Sequence, residues 1–193
     1  MFLFKTSQRF VPRLPFVLSE RPICAKVGAL VEPNIIRTRF FVESAVGFIL
    51  HKATEALTQR GRFILGLCGG KTPEPVYAAL AQRSQAVDWS KIIITFSDER
   101  CVGPSDAQSN FHMASESLLS QIPIPPENVL RMQGELLPSA AAQAYEKRLL
   151  ELGDAPEHDL LLLGARSLEG LNLAVDSRKK KLVAAGPLPV AVA

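Results

Sequence analysis

Cysteine is scarce in this chain of 193 residues, being limited to Cys24, Cys68 and Cys101, which are scattered and include no C-x-x-C pair. An odd, dispersed set excludes a disulfide framework and a cysteine-built zinc site, and a reducing compartment is the simpler setting. Long apolar runs are lacking too. None approaches the roughly 20 residues that cross a bilayer, so no membrane association is expected. Neither the G-x-x-x-x-G-K-[ST] spacing of a P-loop nor the G-x-G-x-x-G dinucleotide fingerprint occurs. The body of the chain also lacks an excess of positive charge. The formal charge is +3, but residues 1–40 hold seven Lys or Arg against Glu20 and Glu32, which leaves the remainder net acidic. A nucleic-acid-binding domain would need a basic stripe on its folded part, so nucleic acid is not an expected partner.

The basic N-terminal stretch, residues 1–34, stands apart from the fold. It is Arg-rich and poor in acids, with Ser, Phe and Leu interspersed, and Pro12, Pro15, Pro22 and Pro33 exclude a long helix. It reads as an organellar transit peptide or, in the competing reading, as a disordered extension or the product of a wrongly chosen start codon. The corresponding locations are an organelle in the first case and the cytoplasm in the second.

Hydrophobic residues make up 47% and charged residues 21%, enough to bury a single-domain core over residues 35–193. From Phe41, apolar residues recur at helical spacing as far as Leu57, with Gly61 as the stop. Phe63–Leu67 is an apolar run of strand length. Cys68–Thr72 forms a turn, after which Thr72 as N-cap and Pro73 at N1 open a helix with Val76, Tyr77 and Leu80 buried. Lys91–Phe96 is β-branched and continuously apolar, as befits a strand covered on both faces. Ser109 caps a helix running to about Gln121, Asn128–Arg131 reads as a short strand, and Ser139 opens a helix to Leu152. Asp159–Leu163 is a third buried strand. Alternating strands and helices imply a doubly wound α/β fold with a mostly parallel sheet. The run Arg178–Lys181 reads as a solvated turn.

In such a sheet, ligands bind beyond the carboxyl ends of the strands. After the first strand, Gly69 and Gly70 allow backbone N–H groups to approach an anion closely. Thr72 adds a hydroxyl, Lys71 a charge, and the next helix its N-terminal dipole. Phosphate is the ligand this suits, although a ligand-free structural turn has the same pattern. After the second strand, Asp98 can accept hydrogen bonds from sugar hydroxyls, and Arg100 can neutralise a phosphate or an oxyanion. The competing reading is a local ion pair that closes the loop.

Together these segments resemble the 6-phosphogluconolactonases. The resemblance rests on Gly-Gly-Lys-Thr-Pro at 69–73, Asp-Glu-Arg-Cys-Val at 98–102 and Ser-Asn at 109–110. It is extended by Asp88–Lys91, Leu118–Pro125, Asn128–Arg131, Ala144–Lys147 and Asp159–Gly164, and it covers roughly residues 38–165. The related glucosamine-6-phosphate deaminases share the Gly-rich turn, but their second loop reads more like Asp-Glu-Tyr. Lys71 departs from the family's usual Ser.

The resemblance implies hydrolysis of 6-phosphoglucono-1,5-lactone to 6-phosphogluconate, with no metal or organic cofactor. Gly69, Gly70, Lys71, Thr72 and Asn110 would bind the phosphosugar, while Asp98 and Arg100 would be catalytic. The protein would act as a monomer or weak homo-oligomer. Family members continue from the third strand into a Gly-x-Asp-Gly-His segment whose His activates water. Here Leu163-Gly-Ala-Arg-Ser-Leu-Glu-Gly170 stands in its place, which reads as an internal loss, and the sheet is expected to be incomplete on its C-terminal side. Two alternatives follow, a non-catalytic phosphosugar-binding remnant and a truncated product without a stable fold. His51, His112 and His158 read as surface or capping residues, with His112 nearest the site.

Overall fold

The computed structural model describes residues 38–153 and 158–163 in full, together with the backbone of Leu3–Lys5, Leu173–Asp176 and Lys181–Ala184. The first helix, α1 (Phe41–Arg60), buries Ala45, Val46, Ile49, Ala53 and Ala56 on one stripe. It ends where Gly61 turns left-handed at φ 70° and its N–H reaches the Leu57 carbonyl at 3.0 Å.

The main sheet is built on β2 (Phe63–Leu67) and β3 (Ile92–Phe96), paired in parallel from Phe63↔Ile92 to Leu67↔Phe96. On the other side of β2, β4 (Leu160–Leu163) pairs in parallel through Leu65↔Leu160 and Gly66↔Leu161. Asp159 starts this ladder. Its N–H bonds to the Ile64 carbonyl, its side chain accepts the Ile64 N–H at 2.8 Å, and it is paired with Arg60. Leu3–Lys5, from the stretch set apart in the sequence reading, forms β1 and pairs antiparallel with β4, giving the order β1-β4-β2-β3. A separate antiparallel pair joins β5 (Leu173–Asp176) to β6 (Lys181–Ala184). Lys181 of the basic run therefore lies in a strand, while residues 178–180 lie outside the described residues.

Among the described residues, three further helices flank the sheet: α2 (Glu74–Ala81), α3 (Asn110–Ser117) and α4 (Pro138–Leu150). Helix α1 packs on α2, and α2 on α3. The core joins Val46, Ile49, Val76, Leu80 and Leu118 to the strand residues Phe63, Leu65, Leu67, Ile92 and Ile94. Burying large aliphatic side chains of this kind contributes about 1.5–3 kcal/mol each.

Element boundaries depart from expectation in four places. Helix α2 begins at Glu74, after a turn over residues 71–73, and Thr72 makes no capping bond. Helix α3 is shorter than expected. Ser117 bonds back to the Met113 carbonyl at 2.7 Å, buried Leu118 leaves helical geometry, and Leu119–Gln121 is a 3-10 turn. Helix α4 starts at Pro138, a position where a missing N–H costs nothing, and Ser139 is inside it. The segment Asn128–Arg131 contributes a single bridge, Ile94↔Val129, rather than a strand.

Candidate functional site

Parallel pairing of Leu67 with Phe96 brings the carboxyl ends of β2 and β3 side by side, and Ser97 N–H bonds to the Leu67 carbonyl at 2.7 Å. The Gly-rich turn and the acid–guanidinium loop therefore leave the sheet at adjacent points. An open cleft of about 740 Å³ lies over them, lined by Gly70, Lys71, Arg100, Ser109, Asn110 and His112 among others. Gly69, Thr72 and Asp98 belong to the same loops without being lining residues.

The two glycines are needed for different reasons. Gly70 has φ 106°, a left-handed conformation that side chains disfavour, with open space around it. Gly69 is required by contact, because a Cβ there would lie 1.8 Å from the Asn110 Oδ1. The turn thus rests directly on the first residue of α3.

Glu99 organises the second loop. One carboxylate oxygen accepts the N–H groups of Arg100 (2.8 Å) and Asn110 (2.7 Å), and the other accepts the Phe111 N–H (2.9 Å) and the Ser109 hydroxyl (3.1 Å). Ser109, as expected, caps α3 by accepting the His112 N–H at 3.1 Å. The first three N–H groups of α3 are thereby satisfied internally. Nothing in the sequence separated Glu99 from Asp98 in role, since a carboxylate's partners are set by the chain returning ten residues later. Asn110 is buried, and its side-chain amide donates to the Asp98 carboxylate at 2.9 Å and the Asp98 carbonyl at 3.1 Å. A further support missed by the sequence reading is Gly134, where a Cβ would sit 2.1 Å from the Arg100 carbonyl.

Among the described residues no carboxylate lies within ion-pair distance of Arg100 or Lys71. Among the described residues the contacts that hold the second loop are therefore those of Glu99, with three backbone N–H groups and the Ser109 hydroxyl, rather than an ion pair to Arg100. Exposed Glu74 and Glu116 also face the cleft, so its charge is mixed. Arg100 additionally borders a second, apolar cavity of about 480 Å³, lined by Met132, Leu136, Tyr145, Leu149 and His158 among others.

Cys68 and the three histidines are placed as follows. Burial pushes the Cys68 thiol up to about 12, so it stays protonated and unreactive. His51 is exposed on α1, and His112 lines the cleft 3.6 Å from Glu116. His158 is neither a surface nor a capping residue. Its ring lies beside Gly66 with Nε2 2.8 Å from the Thr95 hydroxyl, while the Leu161 side chain takes up the space that a Gly66 side chain would need. Burial holds its pKa below the ordinary histidine value. Among the described residues no group of three or more His, Cys, Asp or Glu could hold a metal ion. No helix among them is long and apolar enough to cross a membrane.

A parallel sheet with flanking helices and two polar loops at adjacent carboxyl ends defines the α/β class whose ligands sit in that crevice. The family described as glucosamine-6-phosphate isomerases/6-phosphogluconolactonase matches residues 38–165, and the chain belongs to this family. It is 37% identical over 136 residues to the 6-phosphogluconolactonase of Synechocystis sp., covering 67% of this chain and 56% of that protein. To the 6-phosphogluconolactonase of Treponema pallidum it is 41% identical over 105 residues, covering 52% of this chain and 44% of that one. The crystal structure of 6-phosphogluconolactonase from Thermotoga maritima superposes with a TM-score of 0.58 at 32% identity, over 62% of this chain and 54% of that chain. The chain thus spans about half the length of the curated relatives it matches.

Proposed function

We propose that the cleft binds a phosphorylated sugar lactone and that the chain has 6-phosphogluconolactonase-type chemistry, hydrolysing 6-phosphoglucono-1,5-lactone to 6-phosphogluconate. The observation that carries this reading is the meeting of Gly70, Lys71 and Arg100 around one cleft at adjacent strand ends. The backbone N–H groups of the turn, the Thr72 hydroxyl, Lys71 and Arg100 hold the phosphate. Arg100 suits this role because no carboxylate among the described residues competes for it. Asp98 orients the sugar ring or the attacking water, and Asn110 acts through Asp98 by holding its carboxylate. Names of the relatives support the reaction type.

The family's water-activating His belongs to a Gly-x-Asp-Gly-His segment after β4, whereas this chain reads Leu163-Gly-Ala-Arg-Ser-Leu168 there. Residues 164–172 lie outside the described residues. A positioned general base contributes about 10²–10⁴-fold. Lactone hydrolysis above the spontaneous background is therefore expected to be at least about 100-fold slower than in a relative carrying that segment. Turnover matching such a relative would show that another group supplies the base. Binding is tested separately: 6-phosphogluconate should raise the melting temperature, and Arg100→Ala should abolish the rise. A wild-type protein whose melt is indifferent to millimolar 6-phosphogluconate would refute the phosphosugar site.

A further inference from the structure

The chain has only two tyrosines, and both perform the same unusual task. The Tyr77 hydroxyl, from α2, accepts the Cys68 N–H at 3.0 Å and donates to the Cys68 carbonyl at 2.9 Å. The Tyr145 hydroxyl, from α4, accepts the Phe96 N–H at 2.8 Å and donates to the Phe96 carbonyl at 3.1 Å. Each hydroxyl therefore takes both backbone groups of one residue at the carboxyl end of a strand, immediately before a site loop. Both tyrosines are buried.

The positions they occupy are those of a neighbouring strand. In a parallel ladder, one residue's N–H and C=O point to the same side, and successive residues alternate sides. Leu67 faces β3, since its carbonyl accepts the Ser97 N–H, so Cys68 faces the opposite side, where β4 lies. Ile94 faces outward, because its carbonyl accepts the Leu130 N–H at 2.8 Å, and Phe96, two residues on, faces outward as well. Continued pairing would need β4 at Cys68 and the 128–131 segment at Phe96. Instead the β2–β4 register stops at Gly66↔Leu161, and the 128–131 segment makes a single bridge at Ile94. One hydroxyl satisfies two buried backbone groups that would otherwise be orphaned, while giving no edge along which a strand can continue. Neighbours on either side are thus free to separate where the cleft lies.

We propose that Tyr77 and Tyr145 are positioning residues of this site. By ending the β-ladder at Cys68 and Phe96, they fix the departure points of the Gly69–Thr72 turn and the Asp98–Arg100 loop, and so set the spacing between Lys71 and Arg100. Both hydroxyls remain able to donate at any working pH, because burial pushes Tyr145 up to about 12 and Tyr77 higher than its ordinary value. The assignment of a role in ligand binding rests on the phosphosugar reading above; the ladder-ending role does not.

Tyr77→Phe and Tyr145→Phe keep the rings and remove the two hydrogen bonds. With affinity measured well below each variant's melting transition, 6-phosphogluconate binding should weaken at least about 10-fold, because the two neutral hydrogen bonds no longer fix the loops. Amide hydrogen exchange should accelerate at Ser97–Arg100 in the Tyr145 variant and at Ser97, whose N–H is held by the Leu67 carbonyl next to Cys68, in the Tyr77 variant, leaving α1 unchanged. A tyrosine that merely stabilises the fold would lower the melting temperature with affinity and loop exchange unaltered, and that result overturns the proposal. A wild-type protein that binds no phosphosugar would sink the substrate reading, and loop exchange alone would then decide the role of the tyrosines. Should a variant fail to fold, exchange in the wild-type protein decides. Protection at Phe96 and Cys68 is expected, and exchange there as fast as at Gly70 would overturn the assignment.

Discussion

The turn after β2 and the loop after β3 leave the sheet side by side, yet their polar groups go to different places. In the loop after β3, the Glu99 carboxylate gathers four donors, Asn110 holds Asp98, and Gly134 supports the Arg100 carbonyl from the other side. In the turn after β2, none of the internal hydrogen bonds among the described residues uses the N–H groups of Gly70, Lys71 or Thr72. Among the described residues, one loop spends most of its polar groups internally and leaves the Arg100 guanidinium without a carboxylate partner, while the other leaves its backbone donors unused. This is the division expected of a site that fixes one reactive element and leaves backbone donors for an anion. It also means that sequence motifs of similar polarity can do opposite jobs.

The largest effect should follow from removing the internal anchor. Glu99→Ala strands donors at the start of α3 and is expected to lower stability by about 3 kcal/mol, read by denaturant unfolding. Glu99→Gln, which keeps acceptor capacity on one side only, should fall between. Indifference to both changes would erase the distinction between the two loops.

The glycines sharpen the same contrast at a smaller scale. Gly69→Ala places a Cβ against Asn110 and should cost about 2 kcal/mol, while disturbing Asp98 through the shared amide and weakening 6-phosphogluconate binding. Gly70→Ala meets only its own backbone preference, about 1 kcal/mol, and has open space around it. Equal costs at the two positions would mean that the contact with Asn110 is not made in solution.

The smallest expected effect concerns pH. His158 lies beneath the sheet end on Thr95, and burial lowers its pKa from the ordinary 6.5. The unfolded chain therefore takes up the proton first as pH falls. This contribution is fully present above pH 6.5 and is lost as pH drops below it toward the folded value. The melting temperature should decline over that window, and His158→Gln should flatten the decline. A decline of equal size in the variant would assign it to other groups.

Much of the fold was legible because it depends on local pattern. The continuous apolar runs at 63–67 and 92–96, the helical stripe from Phe41 and the stop at Gly61 each act over a few residues, and the structure follows them. The site loops were legible as positions for the same reason. What escaped was every feature that depends on residues distant in sequence meeting. Examples are the four donors on Glu99, the Asn110 amide against Gly69, the Tyr145 hydroxyl in place of a strand at Phe96, and the His158 ring beside Gly66. Thr72 was misread as a cap because capping propensity is weak beside the geometry of a Gly-Gly turn.

By itself, then, the sequence determined where the main strands and helices lie, that the sheet is mostly parallel, and that polar loops follow the strands at 63–67 and 92–96. Those outcomes come from short-range periodicity and turn chemistry. Only the tertiary structure decided that the two loops share one cleft, that Glu99 anchors while Arg100 stays unpaired by any described carboxylate, and that tyrosine hydroxyls end the ladder. Hydrogen-bond partners and close contacts are set by three-dimensional proximity, which the order of residues along the chain does not record.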